Sequence, residues 1–380
     1  KSYTGEDVVE ISCHGGLLVT KKVLRAIVKQ GAFPAEAGEF TKRAFLNGKL
    51  TLTQAEAVSD LISAESELGF RAAQNAMQGA LYQKIQHVLA DMLTISGHIS
   101  AYIDYPEEDL DTVTMQQIKQ KCEDGMTALK ELLNTFDRGK IIRDGIETVI
   151  VGKPNVGKST LMNLLAGCQK SIVTEVPGTT RDIVEETIKL GDIVLRLSDT
   201  AGIRETTDII EQAGVHLAYD RLKMATLILA VFDFSSPLSA EDLTVIEKVK
   251  GERCIAVINK SDLPTKINYK YIKDNFKHIV EISAKEQQGI EQLNLEITQL
   301  FSLNEIASSG AILANERQYH CAYRAMQLLQ EVLDTIELGY TLDAVDVSIE
   351  SVISALLELS GEKVTDAVVN EVFSHFCVGK

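Results

Sequence analysis

Tryptophan is absent from this sequence, and proline and cysteine are scarce, with 6 of each among 380 residues. The cysteines form no Cys-x-x-Cys pair and no zinc-like spacing, so we expect reduced thiols rather than a disulfide framework or a structural zinc site. No apolar stretch reaches the roughly 18 residues that a membrane span needs. These absences predict a cytoplasmic globular protein without a membrane-spanning segment.

Lys1 opens the chain with no Met and no apolar leader, so we expect no signal peptide and a chain that starts inside a domain. Net positive charge is also lacking, because 38 basic and 54 acidic residues give a net charge of −16. That balance disfavours a protein that coats nucleic acid through bulk charge, although it leaves room for a local RNA contact. The last 80 residues are the most acidic part, with 4 basic and 12 acidic side chains.

Two hydrophobic periodicities divide the chain. Apolar residues at spacings of three and four predict one helical stripe, and a second helix follows over 114–136. The stripe consists of Met77, Leu81, Ile85, Val88, Met92, Ile95 and Ile99. Residues 315–380 are again helical, with core candidates Leu328, Leu329, Val332, Ile336, Val352, Ile353, Leu356 and Leu357.

Between these helical flanks, short apolar runs alternate with helical stretches, which predicts a doubly wound α/β domain with a mostly parallel sheet. The predicted strands are Thr148–Val151, Ile193–Leu197, Leu227–Phe232, Ile255–Ile258 and His278–Ile282. Because helical segments lie on both sides, we infer an α plus α/β fold in which the α/β domain is inserted into a helical domain.

A complete GxxxxGKS motif follows the first predicted strand and opens a helix, as a phosphate-binding loop requires. Its glycines let backbone N–H groups surround phosphates at a helix N-terminus. Lys158 is predicted to reach the β and γ phosphates, and the Ser159 hydroxyl to bind Mg²⁺.

Three further motifs specify the base and the γ-phosphate. The Asp199-Thr200-Ala201-Gly202 run follows a strand, where the carboxylate of Asp199 can hold Mg²⁺ through water. In Asn259-Lys260-Ser261-Asp262, the Asp262 carboxylate can accept two hydrogen bonds from guanine, a pattern that adenine lacks. Lys260 can cover the purine face, and Ser283-Ala284-Lys285 can offer a backbone N–H to guanine O6. The order of the motifs predicts GTP rather than ATP.

The segment 172–182, between the first two motifs, is where a switch loop must lie. Thr180 is the predicted Mg²⁺-sensing threonine that orders this loop when the γ-phosphate is present. The predicted GTP-binding residues are Asn155, Val156, Gly157, Lys158, Ser159, Thr160, Thr174, Glu175, Val176, Pro177, Gly178, Thr179, Thr180, Asp199, Thr200, Ala201, Gly202, Asn259, Lys260, Asp262, Ser283, Ala284 and Lys285.

Ile203 stands where many GTPases place a water-orienting glutamine, and it cannot orient water. Glu211 is a candidate for that role, and a surface helix residue is the alternative reading. The amide oxygen of Asn155, with loop carbonyls, is a candidate ligand for a monovalent cation in place of an arginine finger; an ordinary loop asparagine is the alternative.

The chain resembles the MnmE/TrmE family of tRNA-uridine-modification GTPases over essentially its whole length. The resemblance rests on TGEDVVEISCHGG, AGEFTKRAFLNGKL, GKPNVGKST, IVTEVPGTTRD, DTAGIRET and the terminal FCVGK. It implies a remnant of an N-terminal tetrahydrofolate-binding and dimerisation domain over 1–48, a helical domain over 49–141 and 303–380, and a GTPase domain over 142–302.

The same resemblance implies individual roles. Asn155, Thr174, Val176 and Thr179 would bind K⁺, whereas Ser159 and Thr180 would bind Mg²⁺. Glu211 matches a catalytic glutamate, and Cys377 a functional terminal cysteine. Glu10, Lys49 and Lys380 match positions associated with a tetrahydrofolate derivative.

The resemblance further implies a homodimer that forms a heterotetramer with an FAD-dependent partner and adds an aminomethyl or carboxymethylaminomethyl group to C5 of the wobble uridine of tRNA. A GTP-gated ribosome-assembly factor or other RNA-associated switch GTPase shares the nucleotide motifs and is the alternative, disfavoured by the acidic C-terminal flank. A membrane-remodelling GTPase ranks lower still, because a basic or apolar lipid-binding segment is lacking.

Overall fold

The computed structural model describes residues 2–104, 114–167, 186–197, 225–303, 310–374 and 376. The described helices are α1 Leu17–Lys29, α2 Glu39–Leu46, α3 Leu52–Ser63, α4 Glu67–Met77, α5 Ala80–Asp104, α6 Met115–Leu133, α7 Phe136–Asp144, α8 Lys158–Gly167, α9 Ala240–Lys248, α10 Tyr269–Asn275, α11 Ile290–Leu300, α12 Glu316–Glu337, α13 Leu342–Ser360 and α14 Asp366–Ser374. The strands are β1 Ile146–Val151, β2 Glu186–Leu190, β3 Ile193–Leu197, β4 Leu227–Asp233, β5 Cys254–Asn259 and β6 His278–Glu281.

The chain forms two units, which are described separately. One contains residues 1–63, 73–136 and 310–380, and the other contains residues 64–72 and 137–309. The first is helical throughout its described elements, and the second holds the sheet. Helices from before and after the sheet in the chain therefore share one unit, as the α plus α/β fold class predicts.

Over the described residues, the sheet has six strands in the order β2-β3-β1-β4-β5-β6. All neighbouring pairs are parallel except β2 with β3, which are antiparallel. The neighbouring strands β4 and β5, each paired on both sides, are buried along almost their whole length, because parallel sheets are covered on both faces. Their continuous apolar sequences, LILAVFD and CIAVIN, are typical of that position.

Five of the six strands lie where the sequence predicts them, and β2 is the one it missed. β2 occupies the sheet edge and has the sequence ETIKL, in which polar and apolar residues alternate. A search for continuous apolar runs cannot find such a strand, because an edge strand buries only one side of its residues.

The helical unit has its main core between α5, α6, α12 and α13. The stripe from Leu81 to Ile99 lies in α5 and is buried, as predicted. Leu329, Val332, Val352 and Leu356 are also buried, whereas Leu328, Ile336, Ile353 and Leu357 are partly buried against the same core.

Met77 does not belong to this helical stripe, contrary to the prediction. It is the last residue of α4, and Gly79 separates α4 from α5. Gly79 adopts φ 82°, a left-handed conformation that ends a helix readily when the residue is glycine. The three-to-four spacing therefore crosses a helix boundary.

A buried ion pair joins the two halves of the helical unit. Glu56 on α3 accepts hydrogen bonds from Arg317 Nε at 2.7 Å and Nη2 at 2.9 Å. Arg317 also donates to the Glu358 carbonyl oxygen at 2.9 Å, and Gln318 donates to Glu56 at 2.8 Å. Burial opposes ionisation of Arg317, but the Glu56 carboxylate more than offsets this and raises the pKa of the guanidinium.

The C-terminal helix α14 packs on α2 and α3 through a small aromatic cluster. Phe373 and Phe376 are buried there with Leu52, and Phe45 lies partly buried beside them. Gly38, at φ 65°, precedes α2, and a Cβ atom at this position would lie 2.8 Å from Phe376 Cβ. A glycine is therefore required for Phe376 to reach this position.

Across the described residues, no helix combines the length and the apolar character needed to cross a membrane.

Candidate functional site

The glycines of the phosphate loop are fixed by close contacts as well as by backbone conformation. Gly152 follows β1 at φ 153°, and a Cβ there would lie 2.5 Å from the Val231 carbonyl oxygen of β4. Gly157 adopts φ 97°, and a Cβ there would lie 2.2 Å from Asn259 Nδ2. Both positions require glycine, so the loop can curl tightly before α8 and aim its N–H groups inward.

Lys158, the first residue of α8, turns back over this loop. Its ammonium donates to the carbonyl oxygens of Gly152 at 2.7 Å and Lys153 at 2.8 Å. Burial lowers the pKa of the ammonium, because a charged group loses hydration there. The loop thereby holds the lysine beside the helix N-terminus, where phosphate oxygens are favoured.

The polar side chains assigned to phosphate, Mg²⁺ and K⁺ in this loop are accessible. Asn155, Ser159 and Thr160 are all exposed. Asn155 has φ 62°, an uncommon conformation for a residue other than glycine. Val156, in contrast, is completely buried, so its side chain anchors the loop and only its backbone remains for a ligand.

Asn259 joins the phosphate loop to the two loops predicted to contact the base, residues 259–262 at the end of β5 and 283–285 after β6, here called the base-reading loops. Its Nδ2 donates to the Val156 carbonyl oxygen at 2.8 Å, and its Oδ1 accepts from the N–H groups of Lys260 at 2.8 Å and Ala284 at 3.0 Å. The side chain is 2% exposed. Three segments distant in sequence are therefore held by one amide, which sequence reasoning assigned only to GTP binding.

Asp262 lies next to the loop that begins at Ser283. The Ser283 hydroxyl donates to Asp262 Oδ1 at 2.6 Å, and it accepts from the Glu286 N–H at 3.2 Å. The hydrogen bond from Ser283 is the main reason that the pKa of Asp262 is lowered. An ionised carboxylate held on one oxygen can accept hydrogen bonds from a ligand, as the predicted guanine contact requires.

Lys260 follows β5 with φ 68°, and its ammonium is held at two points. It donates to the Asn155 carbonyl oxygen at 2.9 Å and to Asp233 Oδ2 at 2.6 Å. Burial opposes ionisation of Asp233, but hydrogen bonds from Lys260 and Ser235 more than offset it and lower the pKa of the carboxyl group. These contacts hold the lysine stem between the phosphate loop and the base-reading loop.

Two acidic residues near this end of the sheet were not predicted. Asp233 ends β4 and lies opposite Asn259 in the strand register. Asp242 accepts from Lys153 Nζ at 2.7 Å and forms a capping box with Ser239 at the start of α9. The carboxyl ends of parallel strands meet at one edge, and Ser-x-x-Asp is a helix-start pattern, so both signals are present in the sequence.

Many predicted site residues belong to segments that the structure does not describe. Those outside the described residues are Thr174, Glu175, Val176, Pro177, Gly178, Thr179, Thr180, Asp199, Thr200, Ala201, Gly202, Glu211, Cys377 and Lys380. Glu10 and Lys49, matched to folate, are described and exposed. Among the residues described, no group of three or more His, Cys, Asp or Glu side chains is placed to hold a metal ion.

Two family profiles match this chain. The MnmE helical domain profile matches residues 52–377, and the profile for the N-terminus of the GTP-binding protein TrmE matches residues 1–49. Among individual proteins, the tRNA modification GTPase MnmE of Clostridioides difficile (strain 630) is 41% identical over 384 residues, covering 100% of this chain and 83% of the relative. The protein of the same name from Alkaliphilus metalliredigens (strain QYMF) is 41% identical with the same coverage.

Among solved structures, the G domain of the T. maritima FeoB iron transporter is similar at 23% identity and a TM-score of 0.31, covering 41% of this chain and 98% of that one. The two profiles and the full-length relatives agree with each other and with the ordered nucleotide motifs. The chain belongs to the MnmE (TrmE) family of tRNA modification GTPases.

Proposed function

We propose that this chain binds and hydrolyses GTP, with Mg²⁺ and K⁺ as cofactors, as a subunit that modifies the wobble uridine of tRNA. The single observation that carries the nucleotide assignment is the Asn259 amide, which holds the phosphate loop against both base-reading loops. The 41% identity to MnmE proteins over the full chain supports the role in tRNA modification.

For phosphate binding, Lys158 exchanges its loop carbonyl partners for β and γ phosphate oxygens. The ammonium now lies within 2.8 Å of those carbonyls, at the first residue of α8, where the helix N-terminus favours phosphate. The exposed Ser159 hydroxyl and Thr180 would hold Mg²⁺, and Asp199 would reach it through water. Mg²⁺ would neutralise charge on the phosphates.

For base recognition, Asp262 accepts hydrogen bonds from the guanine N1–H and the exocyclic amine. Its lowered pKa keeps it ionised near neutral pH, so both oxygens act as acceptors. Lys260 lies across the purine face with its ammonium already bound. Adenine would leave Asp262 without matching donors, which is a source of strong discrimination.

The exposed Asn155 suits a K⁺ ligand, because its left-handed backbone is held in place through its carbonyl oxygen. Thr174, Val176 and Thr179 would complete the oxygen ligand set. K⁺ would place positive charge where negative charge develops between the phosphates. Glu211 would orient the attacking water, a role that Ile203 cannot fill.

The folate, tRNA and partner roles rest on family membership. We assign residues 1–48 to the remnant of the folate-binding and dimerisation domain, 49–141 and 303–380 to the helical domain, and 142–302 to the GTPase domain. Of the terminal motif, Phe376 is described, and it packs beside Gly38. Glu10, Lys49 and Lys380 would bind the tetrahydrofolate derivative, and Cys377 would be a catalytic residue, in a homodimer that binds an FAD-dependent protein.

The nucleotide part of the proposal is tested by steady-state GTP hydrolysis in KCl and in NaCl at equal ionic strength. We expect at least about tenfold faster turnover in KCl. Asn155→Ala should remove this difference and retain GDP affinity, whereas Asn163→Ala, at an exposed position on α8, should leave it intact.

Equal rates for the parent chain in the two salts at every protein concentration would contradict the K⁺ assignment. A KCl effect that emerges only at high protein concentration would support pairing of two GTPase domains. The tRNA part is tested separately, by comparing wobble-uridine modification in cells with and without the gene. Unchanged modification would overturn that part alone.

A further inference from the structure

The carboxylate of Asp233 is fixed by hydrogen bonds within its own segment, independently of its contact with any other loop. Asp233 is the last residue of β4, and its side chain is 12% exposed. Its Oδ1 accepts from the backbone N–H of Ser235 at 2.8 Å and from the Ser235 hydroxyl at 2.7 Å. These bonds occupy Oδ1 and orient the other oxygen, Oδ2, toward the base-reading loop after β5.

Asp233 Oδ2 accepts from Lys260 Nζ at 2.6 Å, and the same ammonium donates to the Asn155 carbonyl oxygen at 2.9 Å. Three segments are joined by this chain of contacts: the end of β4, the base-reading loop and the phosphate loop. A hydrogen bond between two charged groups is roughly twice as strong as a neutral one. The carboxylate therefore holds Lys260 more firmly than the Asn155 carbonyl alone does.

The two residues that this chain joins both have uncommon backbones. Asn155 has φ 62° and Lys260 has φ 68°, and neither is glycine. Such conformations persist where surrounding contacts hold them. The contact between Lys260 and the Asn155 carbonyl links the two strained positions directly. Asp233 stabilises that contact because it binds the same ammonium.

We propose that Asp233 is a positioning residue that acts through Lys260 on two ligands at once, guanine and the monovalent cation. It positions the Lys260 side chain, which would cover the purine. Through the same ammonium it also holds the backbone of Asn155, the residue whose side chain is the proposed K⁺ ligand. Base recognition and cation binding are thereby coupled through one ammonium. Both halves of this inference rest on the proposed function, the guanine half through Lys260 and the K⁺ half through Asn155.

The first test is the affinity for a fluorescent GDP in NaCl, where K⁺ plays no part. Asp233→Asn preserves shape but turns an amide toward the Lys260 ammonium. We expect about tenfold weaker binding, mainly through faster dissociation. Asp274→Asn, at an exposed position on α10, makes the same charge change and should leave the affinity unchanged.

A double-mutant cycle with Lys260→Met separates positioning from a general structural effect. If Asp233 acts through Lys260, Asp233→Asn should add less than about a twofold loss once the lysine charge is gone. Full additivity of the two losses would overturn the proposal, as would unchanged GDP affinity in Asp233→Asn alone. Circular dichroism and thermal melting of each variant confirm that the affinities compare folded proteins.

The coupling to the cation is tested by the KCl concentration that gives half-maximal GTP hydrolysis at saturating GTP. Asp233→Asn should raise that concentration severalfold, and an unchanged value would overturn the coupling. If the parent chain shows no K⁺ effect, the K⁺ assignment fails, but the GDP cycle still decides whether Asp233 positions Lys260. The two failures are therefore distinguishable.

Discussion

The helical core and the nucleotide-binding loops achieve order by opposite means. In the α5, α6, α12 and α13 core, buried apolar residues recur every three or four positions along each helix. In the loops after β1, β4, β5 and β6, order comes from a few polar contacts between residues far apart in sequence. Asn259 and Lys260, for example, bind backbone carbonyls more than 100 positions away.

This difference decides how each region should respond to mutation. A buried apolar side chain contributes mainly to the free energy of unfolding, and its loss is shared by the whole core. A polar contact between loops contributes little area but fixes the position of a ligand-binding group. Mutations in the core should therefore lower stability and leave nucleotide affinity unchanged. Mutations in the loops should lower nucleotide affinity and have a smaller effect on stability.

The Glu56–Arg317 pair should give the largest loss of stability. Glu56→Gln leaves a buried guanidinium without its counter-charge, so we expect the free energy of unfolding to fall by about 3–5 kcal/mol. Urea denaturation followed by circular dichroism measures this loss. GDP affinity below the transition should stay within about twofold. Glu123→Gln, at an exposed position on α6, is the control; an equal loss in both variants would contradict the account.

Truncation of Leu329 tests the apolar core itself. Leu329 is completely buried on α12, so Leu329→Ala should cost about 2–5 kcal/mol of unfolding free energy. The adjacent Leu328 is only partly buried and provides the matched control. Chemical denaturation of both variants should show a clearly larger loss for Leu329. A lowered GDP affinity in either variant would break the proposed separation between core and loops.

Gly157→Ala tests the loop side of the comparison. The added Cβ would meet Asn259 Nδ2 at a residue with φ 97°, so the bond from Asn259 to the Val156 carbonyl should break. We expect GDP affinity to fall about 100-fold, equivalent to about 2.7 kcal/mol, with a smaller change in melting temperature. Gly167→Ala, where the added Cβ meets no atom of the described residues within 4 Å, should bind GDP normally.

Gly38→Ala should have the smallest effect, about 1–3 kcal/mol of local stability. Gly38 and Gly48 have nearly equal φ values of 65° and 67°, but only at Gly38 would a Cβ clash with Phe376. Hydrogen exchange of α14 in Gly38→Ala and Gly48→Ala therefore isolates the contact from the backbone cost. Equal protection of α14 in the two variants would show that the Phe376 contact contributes nothing.

The difference between the periodic helical core and the long-range loop contacts also explains which features the sequence predicted. Helical periodicity identified the α5 stripe and the core of α12 and α13, because each residue's burial follows from its near neighbours. It failed at Met77, where Gly79 ends one helix before the next begins, and it missed the half-buried edge strand β2. Continuous apolar runs identified the remaining strands.

In the nucleotide loops, motif spacing predicted which residues gather after the strands, but not how they hold each other. The sequence assigned Asn259 and Lys260 to the ligand. The structure shows that both also bind the phosphate loop, and that Asp233 supports Lys260. Such contacts depend on strand order and register, as in the pairing of Asp233 with Asn259, and no local pattern encodes that pairing.

The central claim, that the loops after β1, β5 and β6 form one guanine-nucleotide site, is tested most directly by nucleotide competition. Unlabelled GDP, ADP and XDP are titrated against a fluorescent GDP bound to the parent chain, and against a fluorescent XDP bound to Asp262→Asn. The account predicts that GDP displaces the probe from the parent at least about 100-fold better than ADP. In Asp262→Asn, probed with the fluorescent XDP, the preference should shift from GDP toward XDP. The C2 carbonyl of xanthine accepts a hydrogen bond from the new amide. Equal displacement by GDP and ADP, or unchanged guanine preference in the variant, would contradict the claim.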